Sequence, residues 1–314
     1  MNHGVATPAP DTVAVPANVA SPSDMPPQDT PRRAPWHRMA SRGRVAHLGL
    51  RPAPAAGIVI LLLFLACAAV PGWIAPYDQL TFDYRTLLRP PSLAHPFGTD
   101  NFGRDLLSRL IWASRVDLQI AIFATLFPMI FGTFAGCLLG YFGGIVDVVF
   151  RRLVDVIITI PFVVLVIAIV AVLGPGLTNM YIAISAVGWI VYARLVRAEV
   201  LAQRQLDYVA AGRVMGYGAP RIIFRHLLPN VAPIVVVYWM SDMALAILLG
   251  SSLGYLGLGA QPPTAEWGVL IADGKNFMTT AWWMSIFPGV AIVLAGIGFS
   301  LAGDGLAERL RRRT

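Results

Sequence analysis

The side chains able to do chemistry are few and far apart. The five histidines stand at 3, 37, 47, 95 and 226, and none lies inside an apolar run that could enclose a site. A metal centre or a membrane-embedded hydrolytic site needs His, Asp and Glu gathered at ligand spacing, and no such group is visible, so no catalytic or metal residue is assigned. Cys67 and Cys137 each sit within an apolar run, which suits small packing residues and gives no disulfide frame. There is no G-x-x-x-x-G-K-[ST] loop to cradle a nucleotide. What remains is one carboxylate, Asp242, amid apolar residues, and a polar excursion from Arg197 to Asn230.

The elements that must position these groups are membrane helices. Of the 314 residues 56% are hydrophobic and 13% charged, about half the charge of an ordinary soluble domain. Six continuous apolar runs reach the length a helix needs to cross the hydrocarbon core, at about 55–75, 118–141, 153–173, 177–196, 231–255 and 284–301. Barrel strands would be shorter and alternating. The fold class is therefore all-α, a polytopic membrane protein with six transmembrane helices. Gly132, Gly136 and Gly140 are spaced to let a neighbouring helix come close.

Within the fifth run a carboxylate costs roughly 2.5–3.5 kcal/mol on insertion scales, so Asp242 must face a cavity or a partner. It either lines a path through the membrane, meeting an amine or a partner's cation, or holds a structural hydrogen bond. Asp155, three residues after Arg152, reads as a helix-surface ion pair. The stretch from Gly98 to Arg109 reads as an amphipathic helix lying on the membrane, with Asp105 and Arg109 paired four apart.

With the N-terminus inside, 18 of the 24 basic residues fall on the cytoplasmic side, so both termini are expected there. The net charge of +7 sits beside the spans, where anionic lipid is a nearer partner than nucleic acid. Residues 1–53 are rich in Pro, Ala and Ser and are expected to be a disordered cytoplasmic tail. The remaining expected divisions are a first membrane helix (54–76) kept as an anchor, an outer loop (77–116), a five-helix core (117–306) and a basic tail (307–314).

The excursion at 197–230 is too long for a turn and has helical patterning. Leu206, Val209, Ala210 and Val214 recur at helical spacing with Asp207 placed as a cap, predicting a short helix from Tyr208 to Met215 that Gly216 and Gly218 break. Pro220 suits the start of a second helix that Pro229 should end. Ile223, Phe224, Leu227 and Leu228 share one of its faces, Arg221 and Arg225 another. Such a pair either inserts as a knob into a partner's groove or lies in the membrane interface.

The run Asp207-Tyr208-Val209-Ala210-Ala211-Gly212-Arg213-Val214-Met215-Gly216, closing with His226-Leu227-Leu228-Pro229-Asn230, resembles the "EAA" signature of bacterial ABC importer permeases. Further stretches are similar to the dipeptide, oligopeptide and nickel branch, on its C-type side: His95-Pro96-Phe97-Gly98-Thr99-Asp100 with Gly103-Arg104-Asp105 and Ser108-Arg109; Leu256-Gly257-Leu258-Gly259-Ala260-Gln261-Pro262-Pro263; Trp267-Gly268; Phe287-Pro288-Gly289; and Gly303-Asp304-Gly305-Leu306. The resemblance spans residue 55 to the C-terminus.

It implies a type I ABC importer permease fold in the bacterial inner membrane, without enzymatic activity of its own. Asp207, Tyr208, Ala210, Ala211, Gly212, Gly216, Arg221, Arg225, His226, Leu228 and Pro229 would dock two cytoplasmic ATPase subunits, which bind ATP and Mg; this chain needs no cofactor. The other implied partners are a homologous second permease and an extracytoplasmic binding protein, touched at Gln261, Pro262 and an interfacial Trp267. Peptides are the expected cargo, with nickel or another small solute as the alternative. A six-span channel or embedded enzyme is the reading of a different class, but neither a repeated filter loop nor an intramembrane acid and histidine cluster is present. The family's glutamate is replaced by Ala210 and its second alanine by Gly212, removing an acid that could close a capping box onto Asp207. A somewhat looser first coupling helix is expected.

Overall fold

The computed structural model describes residues 52–311. The expected tail at 1–53 lies outside them except for its last two residues, which open the first helix. The helices are α1 (Pro52–Ala69), α2 (Pro71–Ile74), α3 (Leu106–Phe142), α4 (Gly144–Ile157), α5 (Phe162–Leu173), α6 (Leu177–Gln203), α7 (Asp207–Val214), α8 (Ala219–Ile222), α9 (Leu228–Tyr255), α10 (Trp267–Gly274) and α11 (Trp283–Arg311). Among the described residues the only β pairing is an isolated bridge between Thr99 and Asp105, so the all-helical class stands. Among the described residues five helices are long and apolar enough to cross a membrane, and α4 with α5 makes a sixth if that bent pair counts as one.

The third span is thus not the straight helix expected over 153–173. Its halves meet at 84°. The break falls at Pro161, which has no N–H to continue the helix and stands at an extended ψ of 130°. The α4 acid that forms an ion pair is Asp147, not Asp155. It takes both guanidinium arms of Arg197 on α6, with Nη2 at 2.7 Å from Oδ2, and Arg151 lies 3.4 Å away.

The interfacial helix expected over 98–109 is also replaced. The chain turns at Gly98 and Gly103, both at positive φ (77° and 75°), and Asp105 becomes the N-cap of a 37-residue α3, accepting from the Ser108 N–H and hydroxyl. Asp105 pairs with His95 rather than Arg109. Arg109 instead reaches Asp100 at 2.8 Å and Asp273 of α10 at 3.2 Å, and Arg104 holds the same Asp100 oxygen at 2.6 Å. This quartet, buried except for the partly exposed Asp273, pins the start of α3 to α10 because each charge taken from water keeps an opposite partner. At the other end of the chain, α11 continues as helix into the basic 307–314 segment, of which residues 312–314 lie outside the described residues.

The three glycines of α3 do what their spacing predicted. A Cβ at Gly132 or Gly136 would stand 2.4 or 2.6 Å from the carbonyls of Trp189 and Ala193, and at Gly140 2.9 Å from Val200, so α6 lies directly on the α3 backbone. The first helix packs likewise on α11, where Gly57 meets Leu301 and Gly305 meets Pro54.

Candidate functional site

Residues 204–230 project from the ends of α6 and α9. Here α7 begins one residue before the expected position, with Leu206 as N-cap and no side chain capping it, so Asp207 is its first residue rather than its cap. Ala210 is then the fourth helical residue, its N–H bonded to the Leu206 carbonyl at 3.2 Å. A glutamate at 210 would not occupy the third position that a capping box requires. The helix stops where predicted: Gly216, at φ 77°, donates to Arg213 O while Tyr217 N donates to Gly212 O, the paired bonds of a Schellman cap.

The second short helix does not end at Pro229. Four α-helical residues lead into a π-helical turn, Ile223–Leu227, which runs straight into α9. The wider turn lets the Leu228 N–H reach Ile223 O, and Asn230 Nδ2 covers the His226 carbonyl at 2.8 Å. The proline, lacking its own N–H, is absorbed at the start of the next helix rather than breaking the chain there.

The loop has a buried root and an exposed apex. Val209, Ile222, Ile223 and Leu227 join Cys137, Tyr192, Val196, Val200 and Val231 in one core, so the loop is packed into α3, α6 and α9. Tyr208 donates to Gln203 Oε1 at 2.9 Å, Arg221 lies 3.9 Å above the Tyr217 ring, and Tyr217 stacks on His226. Ala210, Ala211, Met215, Gly216, Arg221, Arg225 and Pro229 are exposed, and Val214 is 90% exposed. Gly212 is buried, and His226 and Leu228 are half-buried. The expected common apolar face is split: Ile223 and Leu227 point inward, while Phe224 is exposed beside Phe134.

Residues 132–314 match the family described as binding-protein-dependent transport system inner membrane component. The chain belongs to this family. It is 41% identical over 261 residues to the di/tripeptide transport system permease protein DppC of Pseudomonas aeruginosa, covering 81% of this chain and 86% of that protein. It is 36% identical over 298 residues to the dipeptide permease DppC of Alkalihalophilus pseudofirmus, covering 95% and 96%. It is 39% identical over 279 residues to the glutathione permease GsiD of Escherichia coli, covering 88% and 90%. The chain is thus a multi-pass inner-membrane transport permease.

Midway along the permease's α9, Asp242 accepts from the Tyr192 hydroxyl of α6 at 2.7 Å. It also borders a cavity of about 380 Å³ between α3, α5, α6 and α9. The structural hydrogen bond is present, and the carboxylate also stands on the border of this cavity.

At the far end, Gln261 and Pro262 are exposed, the former folded back onto the carbonyls of Gly257 and Gly259. Trp267 is not interfacial. It is fully buried, its ring on Phe64 and its indole N–H on Leu110 O at 3.3 Å, which leaves it no surface for a binding protein. The N–H groups of Trp267, Gly268 and Val269 all point at carboxylates, the first at Asp117 of α3 and the others at Glu266. Burial pushes the Glu266 carboxyl above its usual range, against the pull of its two N–H donors. Asp117 and Glu266 were missed in the sequence because the first stands just before an apolar run and the second in the segment between two runs, where each looks like an ordinary loop acid.

Proposed function

We propose that this permease is one of two homologous membrane subunits of an ATP-binding cassette importer that carries short peptides inward, with cytoplasmic termini and the 207–229 loop facing two ATPase subunits. ATP and Mg act on those ATPases, and an extracytoplasmic binding protein delivers the peptide near Gln261 and Pro262. The basic flanks of the spans contact lipid, not nucleic acid. The names of the relatives support the peptide cargo.

One observation carries the ATPase reading: the exposed apex of α7 stands on a root continuous with the core of α3, α6 and α9. A push on Ala210, Ala211 and Val214 would therefore move membrane helices instead of being lost in a flexible loop. Alternating access follows when such a push arrives on both permeases.

The test is co-purification of the tagged permease with the ATPases expressed beside it. Val214→Asp changes only an exposed side chain, and Gly216→Pro forbids the positive φ and removes the N–H bond to Arg213. Wild type should bring down an ATPase, while both variants, still inserted, should lose at least tenfold of it. Absence of any associated ATPase in wild type would sink the reading.

A further inference from the structure

The cavity beside Asp242 is apolar on nearly every side. Pro128 of α3, Phe162 of α5, Gly188 of α6 and Leu245 of α9 contribute to its walls, and its titratable border is Asp242 with Tyr238. Tyr238 packs edge-on against Tyr192, the residue that donates to Asp242, with ring centroids 4.9 Å apart. The carboxylate and the two phenols are therefore one unit whose orientation is set before any ligand arrives.

That unit is incomplete in charge. Among the described residues Asp242 has a single hydrogen-bond donor, the Tyr192 hydroxyl, and no Arg, Lys or His forms an ion pair with it. Two acids are neutralised within the chain, Asp100 by two arginines and Asp147 by Arg197 and Arg151. Asp117, like Asp242, meets no cation among the described residues, but it is fully buried, takes the Trp267 N–H and the Ser251 hydroxyl, and does not line this cavity. An intramembrane carboxylate left with one phenol on the border of an apolar, partly open cavity is suited to a cation from outside the chain.

We propose that this cavity is an ammonium-binding site that takes the free amino terminus of a peptide in transit, with Asp242 supplying the charge and Tyr238 an aromatic face. The proposal rests on the importer reading above and names the group that the permease itself recognises. A primary ammonium brings three donors: Asp242 can accept more than the one bond it has, and the Tyr238 ring attracts the cation electrostatically. The volume, about 380 Å³, falls within the range of small-ligand pockets, about 300–1,000 Å³, and exceeds what the tip of one partner side chain would fill. Apolar walls tolerate varied peptide side chains, while the carboxylate rejects a solute without a cation, because its own charge would then stay unpaired.

The experiment uses the assembled transporter in lipid nanodiscs without binding protein, titrated calorimetrically with tri-alanine and with N-acetyl-tri-alanine. Wild type is expected to bind tri-alanine at least tenfold more tightly than the acetylated form, and Asp242→Asn to lower tri-alanine binding to the acetylated level. Tyr238→Leu keeps the carboxylate and its Tyr192 bond and should weaken tri-alanine several-fold; it decides the matter if Asp242→Asn fails to insert. Equal affinities for the two peptides, no binding by wild type, or an unchanged Asp242→Asn each overturns the site. An inserted Asp242→Asn that no longer assembles with the second permease assigns the carboxylate to that subunit's cation and overturns it as well. ATP-driven uptake of tri-alanine, measured in parallel with binding protein, separates the two readings: uptake without amine discrimination rejects this site alone, and absence of uptake of any peptide rejects the importer.

Discussion

Glycines at 132, 136 and 140 and the acids at 100, 117, 147 and 242 show how single residues govern this protein. The glycines act by absence, since a side chain on any of them would collide with α6. We expect Gly136→Val to cost about 1–3 kcal/mol, because its Cβ would stand 2.6 Å from a backbone carbonyl that cannot swing aside. Gly289→Ala, with nothing within 4 Å of its Cβ, should be neutral or stabilise by about 0.5–1 kcal/mol through helix propensity. Thermal aggregation of the detergent-purified permease, followed by gel filtration, compares the pair; equal midpoints would contradict the close-packing account. The acids act through the donors they meet, and those donors lie up to 150 residues away in the chain, as in the bond from the Trp267 N–H to Asp117. Nothing in local spacing announces such partners, which explains why i,i+4 reasoning matched Asp105 with Arg109 while the fold matched Asp105 with His95.

Among the elements, the spans and the position of the projecting loop were legible, because lipid demands long apolar helices and a loop must be polar. Their breaks and joints were not. The bend before α5, the fusion of the second short helix into α9 and the merging of the outer helix into α3 all depend on how neighbours meet free backbone groups. Pro161 stands in a break between two helices, as the N-cap of α5, and Pro229 lies within a continuous one, although both lack an N–H. A π turn precedes Pro229, and residues of that turn, Ile223 and Leu227, are buried in the core. The same comparison predicts unequal rigidity in the loop. Eight-residue α7 has no side-chain cap at its start and exposes much of its surface, whereas residues 221–228 are continuous with a membrane helix. Amide exchange in the assembled transporter should be faster over 208–215 than over 221–228. Equal protection would mean that docking, not the permease's own packing, sets the order of α7.

For the whole molecule, the proposed orientation, with 207–229 inside and 77–105 outside, is the one that the arginine distribution favours. In a permease lacking Cys67 and Cys137, an impermeant maleimide applied to intact spheroplasts should label Leu93→Cys, at a fully exposed outer position. Ala210→Cys should react only after permeabilisation. The reverse pattern would invert the topology and remove the loop from the reach of any cytoplasmic ATPase.

The all-helical membrane class, the number of apolar runs, the location of the projecting loop and the family were determined by sequence alone, since hydropathy and short motifs are properties of contiguous residues. Tertiary structure alone decided which carboxylates are satisfied and which faces a void. Asp117 and Asp242 look alike as acids in or beside apolar runs, yet one accepts the N–H of a residue 150 positions away and the other borders a cavity with one phenol. The difference is made by packing: burial, charge pairing and empty volume are relations between distant segments, and they exist only once those segments have come together.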